Sequence, residues 1–371
     1  MASPIPLVDL ATQYRAIKPE IDAALQRVLA SGQFILGPEV EALEREIAAY
    51  CKTAHAIAVA SGTDALELSL RALDIGPGDE VVTSAFSFIA TAEAIIAVGA
   101  TPVFVDIHPE SYTLDPAALR AALSAKTKAI IPVHLYGQPC DMDAVMVAAR
   151  AHRVHVVEDC AQAIGAAYRG RRVGSFGEAA ALSFYPSKNL GACGDAGMIL
   201  TNDSALAEKF RLLRAHGSRE RYHHVVLGTN SRLDELQAAL LRVKLHHLDA
   251  WTEARQDCAR AYHQAFHEAG VQGLVLPATL AERTHVYHLY TIRTPYRRRI
   301  QERLQQQGIA TQVAYPSTLP QQPALAPYLP STGSYPQAES AARDVLSLPI
   351  YPELSLADIR RIVEEVVRSL A

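Results

Sequence analysis

Residues 54–84, AHAIAVASGTDALELSLRALDIGPGDEVVTS, place two short apolar runs on either side of a longer Ala- and Leu-rich run. The spacing predicts a strand at 56–60, a helix at 63–73, a Gly-Pro-Gly-Asp turn at 76–79 and a strand at 80–83. The same alternation continues to about residue 201. It predicts further strands at 101–105, 129–133, 154–158, 180–184 and 198–201, and helices at 89–98, 116–123 and 142–151. Strands that alternate with helices favour an α/β fold with a mostly parallel sheet.

The pattern changes after residue 232. A long helix is predicted from 233 to about 269, followed by a strand at 285–293, a helix at 297–308 and a last helix from 355. We therefore expect a large α/β domain with an N-terminal arm over residues 1–245. A smaller α+β domain is expected over residues 246–371, with the boundary inside the long helix.

The composition is that of a globular protein with a sizeable core. Hydrophobic residues make up 49% and charged residues 20% of the 371 residues, and the formal net charge is -4. This charge provides no overall positive field for nucleic acid or an anionic membrane. The start has no basic, apolar leader, and no apolar run approaches the roughly 20 residues of a membrane span, so a cytoplasmic protein is expected.

The five cysteines are scattered and never form C-x-x-C, and the fourteen histidines never form H-E-x-x-H. Neither a disulfide framework nor a metal site is therefore predicted.

Asp159 directly follows the strand predicted at 154–158. In open α/β sheets, ligands bind at the carboxyl ends of strands, so a carboxylate at this position is expected to face a crevice. The alternative, an aspartate that only caps a helix, is common.

Lys188 lies between a strand end and a Gly-rich turn, in the segment SFYPSKNLG of residues 183–191. A lysine there, amid few other charges, suits covalent chemistry on a carbonyl, because partial burial lowers an ammonium's pKa towards neutrality. Most single lysines are instead surface residues.

The segment SGTDA, residues 61–65, follows a strand and opens a helix. Backbone N–H groups at a helix start can hold a phosphate, although by itself this segment is only a capped helix. The three features together fit pyridoxal phosphate, which needs an anchoring lysine, a carboxylate at its ring nitrogen and a phosphate cradle.

These residues also resemble the DegT/DnrJ/EryC1/StrS sugar aminotransferases, which have the fold of aspartate aminotransferase (fold type I). The resemblance covers essentially the whole chain. It is carried by GQFILGP (32–38), SGTDAL (61–66), FSFIAT (86–91), EDCAQA (158–163), SFYPSKNLG (183–191) and TNSRLDELQAA (229–239).

The resemblance implies a role for each matching residue. Lys188 anchors the cofactor and moves the substrate proton, Asp159 pairs with the ring nitrogen, and Gln162 bonds the ring hydroxyl. Phe88 stacks on the ring, and the phosphate is held by Gly62, Thr63, Ser183 and, across a subunit boundary, Asn230. A homodimer with shared active sites is therefore expected.

The sugar site is less well defined by sequence. The resemblance places Tyr185 and Arg232 near the sugar, and the basic loop with Arg219, Arg221 and Tyr222 either holds a diphosphate or is a solvated charge run. Tyr315 is expected to contact substrate, but the chain has Val313-Ala314-Tyr315-Pro316 where relatives usually have a histidine before Tyr-Pro.

The resemblance implies transfer of an amino group from an amino acid, L-glutamate by expectation, to a nucleoside-diphosphate-linked 3-keto hexose or hexuronate. Three alternatives remain: amination at carbon 4, a dehydratase, and a cofactor-binding regulatory protein without turnover. Lys188 argues against the dehydratase, in which histidine replaces the lysine. No nucleic-acid or membrane partner is expected.

Overall fold

The computed structural model describes residues 3–329 and 333–370. A seven-stranded sheet, ordered β1-β9-β8-β5-β4-β2-β3, forms the centre of the N-terminal two thirds. Its strands are β1 (His55–Val59), β2 (Glu80–Ser84), β3 (Thr101–Val105), β4 (Thr127–Ile131), β5 (His155–Asp159), β8 (Ala179–Ser183) and β9 (Gly197–Thr201). The remaining strands form two-stranded sheets: β6 (Ala167–Tyr168) with β7 (Arg171–Arg172), β10 (Ser218–Glu220) with β11 (His223–His224), and β12 (Tyr290–Arg293) with β13 (Val345–Leu348).

Helices cover the sheet and build the C-terminal part. Many begin at a side-chain cap; for example, Ser61 accepts a hydrogen bond from the Asp64 N–H, and Asp141 accepts one from Ala144. The helices are α1 (Leu10–Ser31), α2 (Pro38–Cys51), α3 (Gly62–Ala72), α4 (Ala90–Ala97), α5 (Pro116–Ala122), α6 (Met142–His152), α7 (Ser204–Leu213), α8 (Glu235–Ala269), α9 (Arg297–Gln306), α10 (Pro336–Asp344) and α11 (Leu356–Leu370).

The sheet is mostly parallel, as the sequence predicts. β2 pairs in parallel with β3 and β4, β4 with β5, and β5 with β8. β9 is antiparallel to both β1 and β8. The carboxyl ends of β1, β2, β4, β5 and β8 therefore lie along one edge of the sheet.

The long helix α8 connects two hydrophobic clusters. Its first half contributes Leu241 and Leu248 to the cluster around β8 and β9, and its second half contributes Tyr262 and Phe266 to the cluster around β12, β13 and α11. The predicted domain boundary at 245/246 falls inside this helix and stays a prediction. Ile5 packs in the C-terminal cluster and pairs with Ile309.

One predicted element is too long. The strand expected at 285–293 is a strand only over Tyr290–Arg293, because the preceding residues form an irregular segment in which Tyr287 has a φ of 45°. Among the described residues, no helix is both long and apolar enough to cross a bilayer.

Candidate active site

A cavity of about 470 Å³ lies at the edge of the sheet where the parallel strands end. β5 brings Asp159 to it, β8 brings Ser183 and the loop with Lys188, and the turn after β1 brings Gly62. Leu7 and Val8 of the N-terminal arm and Tyr315 of the C-terminal part close the opposite side. The volume is in the range of small-molecule sites.

Asp159 is buried in the floor of the cavity. Its Oδ2 accepts a hydrogen bond from the Thr91 hydroxyl at 2.9 Å, and its Oδ1 accepts one from the Ala161 N–H at 3.1 Å. Burial raises the pKa of the carboxyl, and these hydrogen bonds and the Lys188 charge partly offset the effect. An ionised Asp159 is therefore stabilised by a cationic partner in the cavity.

Lys188 lines the same cavity. Burial lowers the pKa of its amine to about 8, and the negative charge of Asp159 opposes this shift. At pH 7 roughly a tenth of the amine is therefore unprotonated and nucleophilic, far more than for a free lysine.

One hydrogen bond within the loop and two from other elements fix the loop that carries Lys188. The Lys188 N–H donates to the Tyr185 carbonyl at 2.8 Å, the Asn189 amide donates to the Val286 carbonyl at 2.9 Å, and the Lys244 amine of α8 donates to the Gly191 carbonyl at 2.7 Å. These bonds tie the loop to α8 and to the segment before β12. The position of Lys188 is therefore set by both parts of the chain.

Gly62, Thr63 and Ser183 form one end of the cavity, at the first residues of α3. A Cβ on Gly62 would lie 2.8 Å from the Ser183 Cβ, so only glycine allows this approach of helix to strand. The first N–H groups of a helix have no partner within the helix and favour an anion. This end of the cavity suits a phosphate.

Gln162, Phe88 and Tyr315 line the rest of the cavity. The Gln162 Oε1 accepts from the Tyr136 N–H at 2.8 Å, and its Nε2 donates to the Tyr315 hydroxyl at 3.0 Å. The ring of Phe88 is 54% exposed, with its centroid 6.0 Å from that of Tyr315. An exposed aromatic face in a cavity is suited to stacking on a planar ring.

Nine of the thirteen predicted site residues line this one cavity; they are Gly62, Thr63, Phe88, Asp159, Gln162, Ser183, Tyr185, Lys188 and Tyr315. The other four lie outside it, on or after the β10–β11 hairpin. Arg219, Tyr222 and Asn230 are exposed, and Arg232 has a buried Nε for which the described residues offer no hydrogen-bond partner. Within one chain, these four residues do not meet the cavity.

Comparison with known proteins identifies the family of this chain. A model of the DegT/DnrJ/EryC1/StrS aminotransferase family matches residues 15–367. The chain belongs to this family. The resemblance stated from the sequence is thereby confirmed, and so is the α/β fold of type I.

Curated relatives of this aminotransferase span almost the whole chain. A protein of Geobacillus stearothermophilus named "Pleiotropic regulatory protein" is 51% identical over 98% of this chain and 97% of its own length. The dTDP-3-amino-3,4,6-trideoxy-alpha-D-glucose transaminase of Streptomyces venezuelae is 49% identical over 98% of this chain and 95% of its own. The UDP-2-acetamido-2-deoxy-3-oxo-D-glucuronate aminotransferase of Pseudomonas aeruginosa is 44% identical over 96% of this chain and 98% of its own.

Two crystal structures are similar to this aminotransferase. S. venezuelae DesV in complex with a ketimine intermediate has a TM-score of 0.96 at 49% identity, covering 99% of this chain and 98% of its own. The Bacillus subtilis protein NtdA with bound cofactor PMP has a TM-score of 0.93 at 32% identity, covering 100% of this chain and 86% of its own.

A second cluster of polar residues lies beneath the aminotransferase cavity. Ligand atoms of His134, Glu158 and Cys160 lie within 4.8 Å of one another, all buried. The Glu158 carboxylate accepts hydrogen bonds from three backbone N–H groups, of Gly174, Phe176 and Gly177. The His134 Nδ1 accepts from the Cys140 N–H, so its Nε2 carries the proton and donates to Glu158 at 3.2 Å. Hydrogen bonding accounts for this cluster, and the absence of a metal site stays a prediction.

The sequence missed several residues that line the aminotransferase cavity. Thr91 lies within the motif FSFIAT, so its place in the family pattern was visible in the sequence, but no role was predicted for it. The sequence around His288 contains no motif that indicates a role, because a single histidine between apolar residues is usual in a buried segment.

Proposed function

We propose that this chain transfers an amino group from an amino acid, L-glutamate by expectation, to a nucleoside-diphosphate-linked 3-keto hexose or hexuronate. The observation that carries the proposal is the pairing in one cavity of a lysine of lowered pKa with a buried carboxylate. Such a pair suits a cofactor with an aldehyde and a basic ring nitrogen.

Pyridoxal phosphate fits the residues of the cavity. The buried Asp159 calls for a cation, which a protonated ring nitrogen provides, and the start of α3 with Ser183 suits the phosphate. Phe88 would offer an aromatic face to the ring, and Gln162, which lines the same cavity, would serve its hydroxyl. When bound, the cofactor carries the amino group between the two substrates and takes up the electron pair released at the substrate carbon.

The chain's own residues then handle protons. Lys188, with a pKa of about 8, can accept a proton from a substrate carbon and return it. Asp159 keeps the ring nitrogen protonated. Leu7, Val8 and Leu289 provide apolar walls that limit access of water.

The assignment of the sugar rests on the relatives. Two of them are named for a 3-amino or 3-oxo sugar, linked to dTDP in one case and to UDP in the other. We infer that the acceptor is a ketone at carbon 3, with amination at carbon 4 as the alternative. Tyr185 and Tyr315 line the cavity where the sugar would enter.

A homodimer would complete the site. Tyr222, Val225, Val226 and Leu227 are exposed apolar residues next to Asn230, and Leu227 is 90% exposed. Apolar residues clustered on one surface indicate a protein interface. In the proposed dimer, Asn230 reaches the partner's phosphate site, Arg232 lies near the sugar, and Arg219 and Tyr222 either hold the diphosphate of the substrate or belong to a solvated charge run.

The test is a spectrum followed by a substrate panel. Protein loaded with pyridoxal phosphate should show a visible band that is lost when glutamate is added, and Lys188→Ala should not be trapped by borohydride. Nucleotide-linked 3-keto and 4-keto sugars should then be assayed for glutamate-dependent amination. If no amino acid changes the band, the regulatory binding-protein alternative replaces the proposal.

A further inference from the structure

His288 is buried against the cavity, and its side chain makes no hydrogen bond to any residue that the structure describes. It is 7% exposed, lines the cavity together with Lys188, and its Nδ1 is enclosed without a partner among the described residues. The other ring nitrogen, Nε2, is not among the enclosed unpaired atoms and makes no hydrogen bond to a described residue, so it is the ring nitrogen that can reach the cavity. Buried polar groups are nearly always paired, so an unpaired one at a cavity indicates a missing ligand.

The imidazole is uncharged. Burial, followed by the positive charges of Lys188 and Arg255, lowers the pKa of His288 well below its ordinary value. An uncharged imidazole carries one proton, and an enclosed N–H without a partner is less favourable than an enclosed lone pair. The proton therefore belongs on Nε2, which makes His288 a hydrogen-bond donor to whatever occupies the cavity.

The backbone around His288 is fixed firmly. Asn189, next to Lys188, binds the Val286 carbonyl, and the buried Arg255 of α8 donates to the Tyr287 carbonyl at 3.1 Å. On the other side, a Cβ on Gly137 would lie 3.0 Å from the His288 N. Tyr287 itself has a φ of 45°, a strained value for a residue with a side chain. These contacts fix the position of the imidazole relative to Lys188.

We infer that His288 is a further catalytic residue. Its Nε2–H donates a hydrogen bond to the oxygen that the reacting substrate carbon carries in the keto form. This inference rests on the proposed function. In the transfer, the substrate carbon forms a bond to nitrogen and loses its oxygen as water, with both protons of that water coming from the amine. His288 supplies neither proton; it stabilises negative charge on the oxygen, as uncharged histidines do for other carbonyl groups.

Because the amino donor and the acceptor each carry this oxygen when in the keto form, His288 should serve both halves of the reaction. The prediction can be tested without the sugar. L-Glutamate removes the visible band of the loaded protein, and 2-oxoglutarate restores it from the opposite direction. His288→Leu should slow two single-turnover rates tenfold to a hundredfold. They are the release of 2-oxoglutarate after L-glutamate is added and the return of the visible band with 2-oxoglutarate. The loss of the band with L-glutamate precedes entry of the oxygen and should change little. A residue that only selects the sugar would slow neither.

Two polar variants locate the donor. The amide of His288→Gln reaches the position of Nε2, whereas that of His288→Asn reaches only the position of Nδ1. Gln should retain the rates within about fivefold, and Asn should be as slow as Leu. The matched control is His263→Leu. It removes a half-buried histidine of α8, outside the cavity, whose Nε2 is likewise enclosed without a partner among the described residues, and it should leave both rates unchanged.

A second measurement does not depend on activity. Nitrogen NMR of ring-labelled, cofactor-free protein, assigned by difference from His288→Gln, should show an uncharged ring with its proton on Nε2 from pH 6 to 8. A charged ring at pH 6, a proton on Nδ1, or recovery by Asn but not by Gln would overturn the inference. If the parent protein reacts with glutamate while His288→Leu releases 2-oxoglutarate equally fast, this inference alone fails; if the parent reacts with no amino acid, the proposed function fails with it.

Discussion

Lys188 and Asp159 influence each other at the scale of single residues. Burial disfavours a charge on each, while each charge favours ionisation of the other. The amine thus keeps a pKa of about 8, below the 10.5 of a free lysine. A folded protein without cofactor therefore bears the cost of a buried ammonium at neutral pH.

We predict that Lys188→Met stabilises the cofactor-free protein at pH 7. Well below pH 8, the lysine is charged in both folded and unfolded states, so the folded state carries the full cost of burial. For a shift from 10.5 to about 8 this is at most about 3.5 kcal/mol, at roughly 1.4 kcal/mol per pKa unit. Between pH 8 and 10.5, the folded state loses the proton first and the cost falls. Denaturant unfolding should therefore show a gain that is largest below pH 8 and fades towards pH 10.5.

Lys128→Met is the control for this experiment, because Lys128 is exposed on β4. It should change the free energy of unfolding little at any pH. A Lys188→Met protein no more stable than the parent at pH 7 would show that the amine is well solvated.

At the scale of elements, the site depends on how closely α3 approaches β8. Gly62 opens α3 and faces Ser183, and only the missing side chain of Gly62 permits the contact. The N–H groups at the start of the helix thereby come close to the hydroxyl of Ser183. A phosphate could bind these N–H groups and the Ser183 hydroxyl together only if α3 lies this close to β8.

We predict that Gly62→Ala weakens the affinity for pyridoxal phosphate tenfold or more, because the new methyl group pushes α3 away from β8. The dissociation constant should be measured by absorbance titration. Gly194→Ala is the control, since its Cβ would meet only the flexible Gln237 side chain at 3.3 Å. Equal affinities for both variants would mean that the start of α3 does not bind the phosphate.

The elements also show what the sequence could predict. Apolar alternation placed every strand of the main sheet to within two residues, because buried parallel strands have continuous apolar runs. It could not show that β9 runs antiparallel between β1 and β8, since strand direction leaves no trace in periodicity. The cofactor residues were predicted because they lie in short motifs next to strand ends. His288 was missed because its place in the cavity depends on distant contacts with Asn189, Arg255 and Gly137.

At the scale of the whole molecule, the proposed site is divided between chains. One chain provides the cavity, and the exposed Tyr222 of the β10–β11 hairpin and Leu227 after it do not line that cavity. A second copy is the partner that would cover this surface and bring Asn230 to the phosphate.

We predict that light scattering will give the parent protein twice the 40.2 kDa chain mass. Leu227→Glu places a charge on the apolar surface and should shift the mass towards that of one chain, with loss of bound cofactor. Val147→Glu changes another exposed apolar residue, 62% exposed on α6, and should stay dimeric. A parent protein that behaves as a monomer would refute the shared site.

The helix α8 has 35 residues, which at 1.5 Å per residue makes a rod of about 50 Å. It is buried in one hydrophobic cluster near its start and in another near its end. Unfolding of either cluster would therefore disrupt the helix that the other cluster packs against. Calorimetry should therefore record a single cooperative heat-absorption peak, and a chain cut within the rod should yield two fragments that fold poorly when apart.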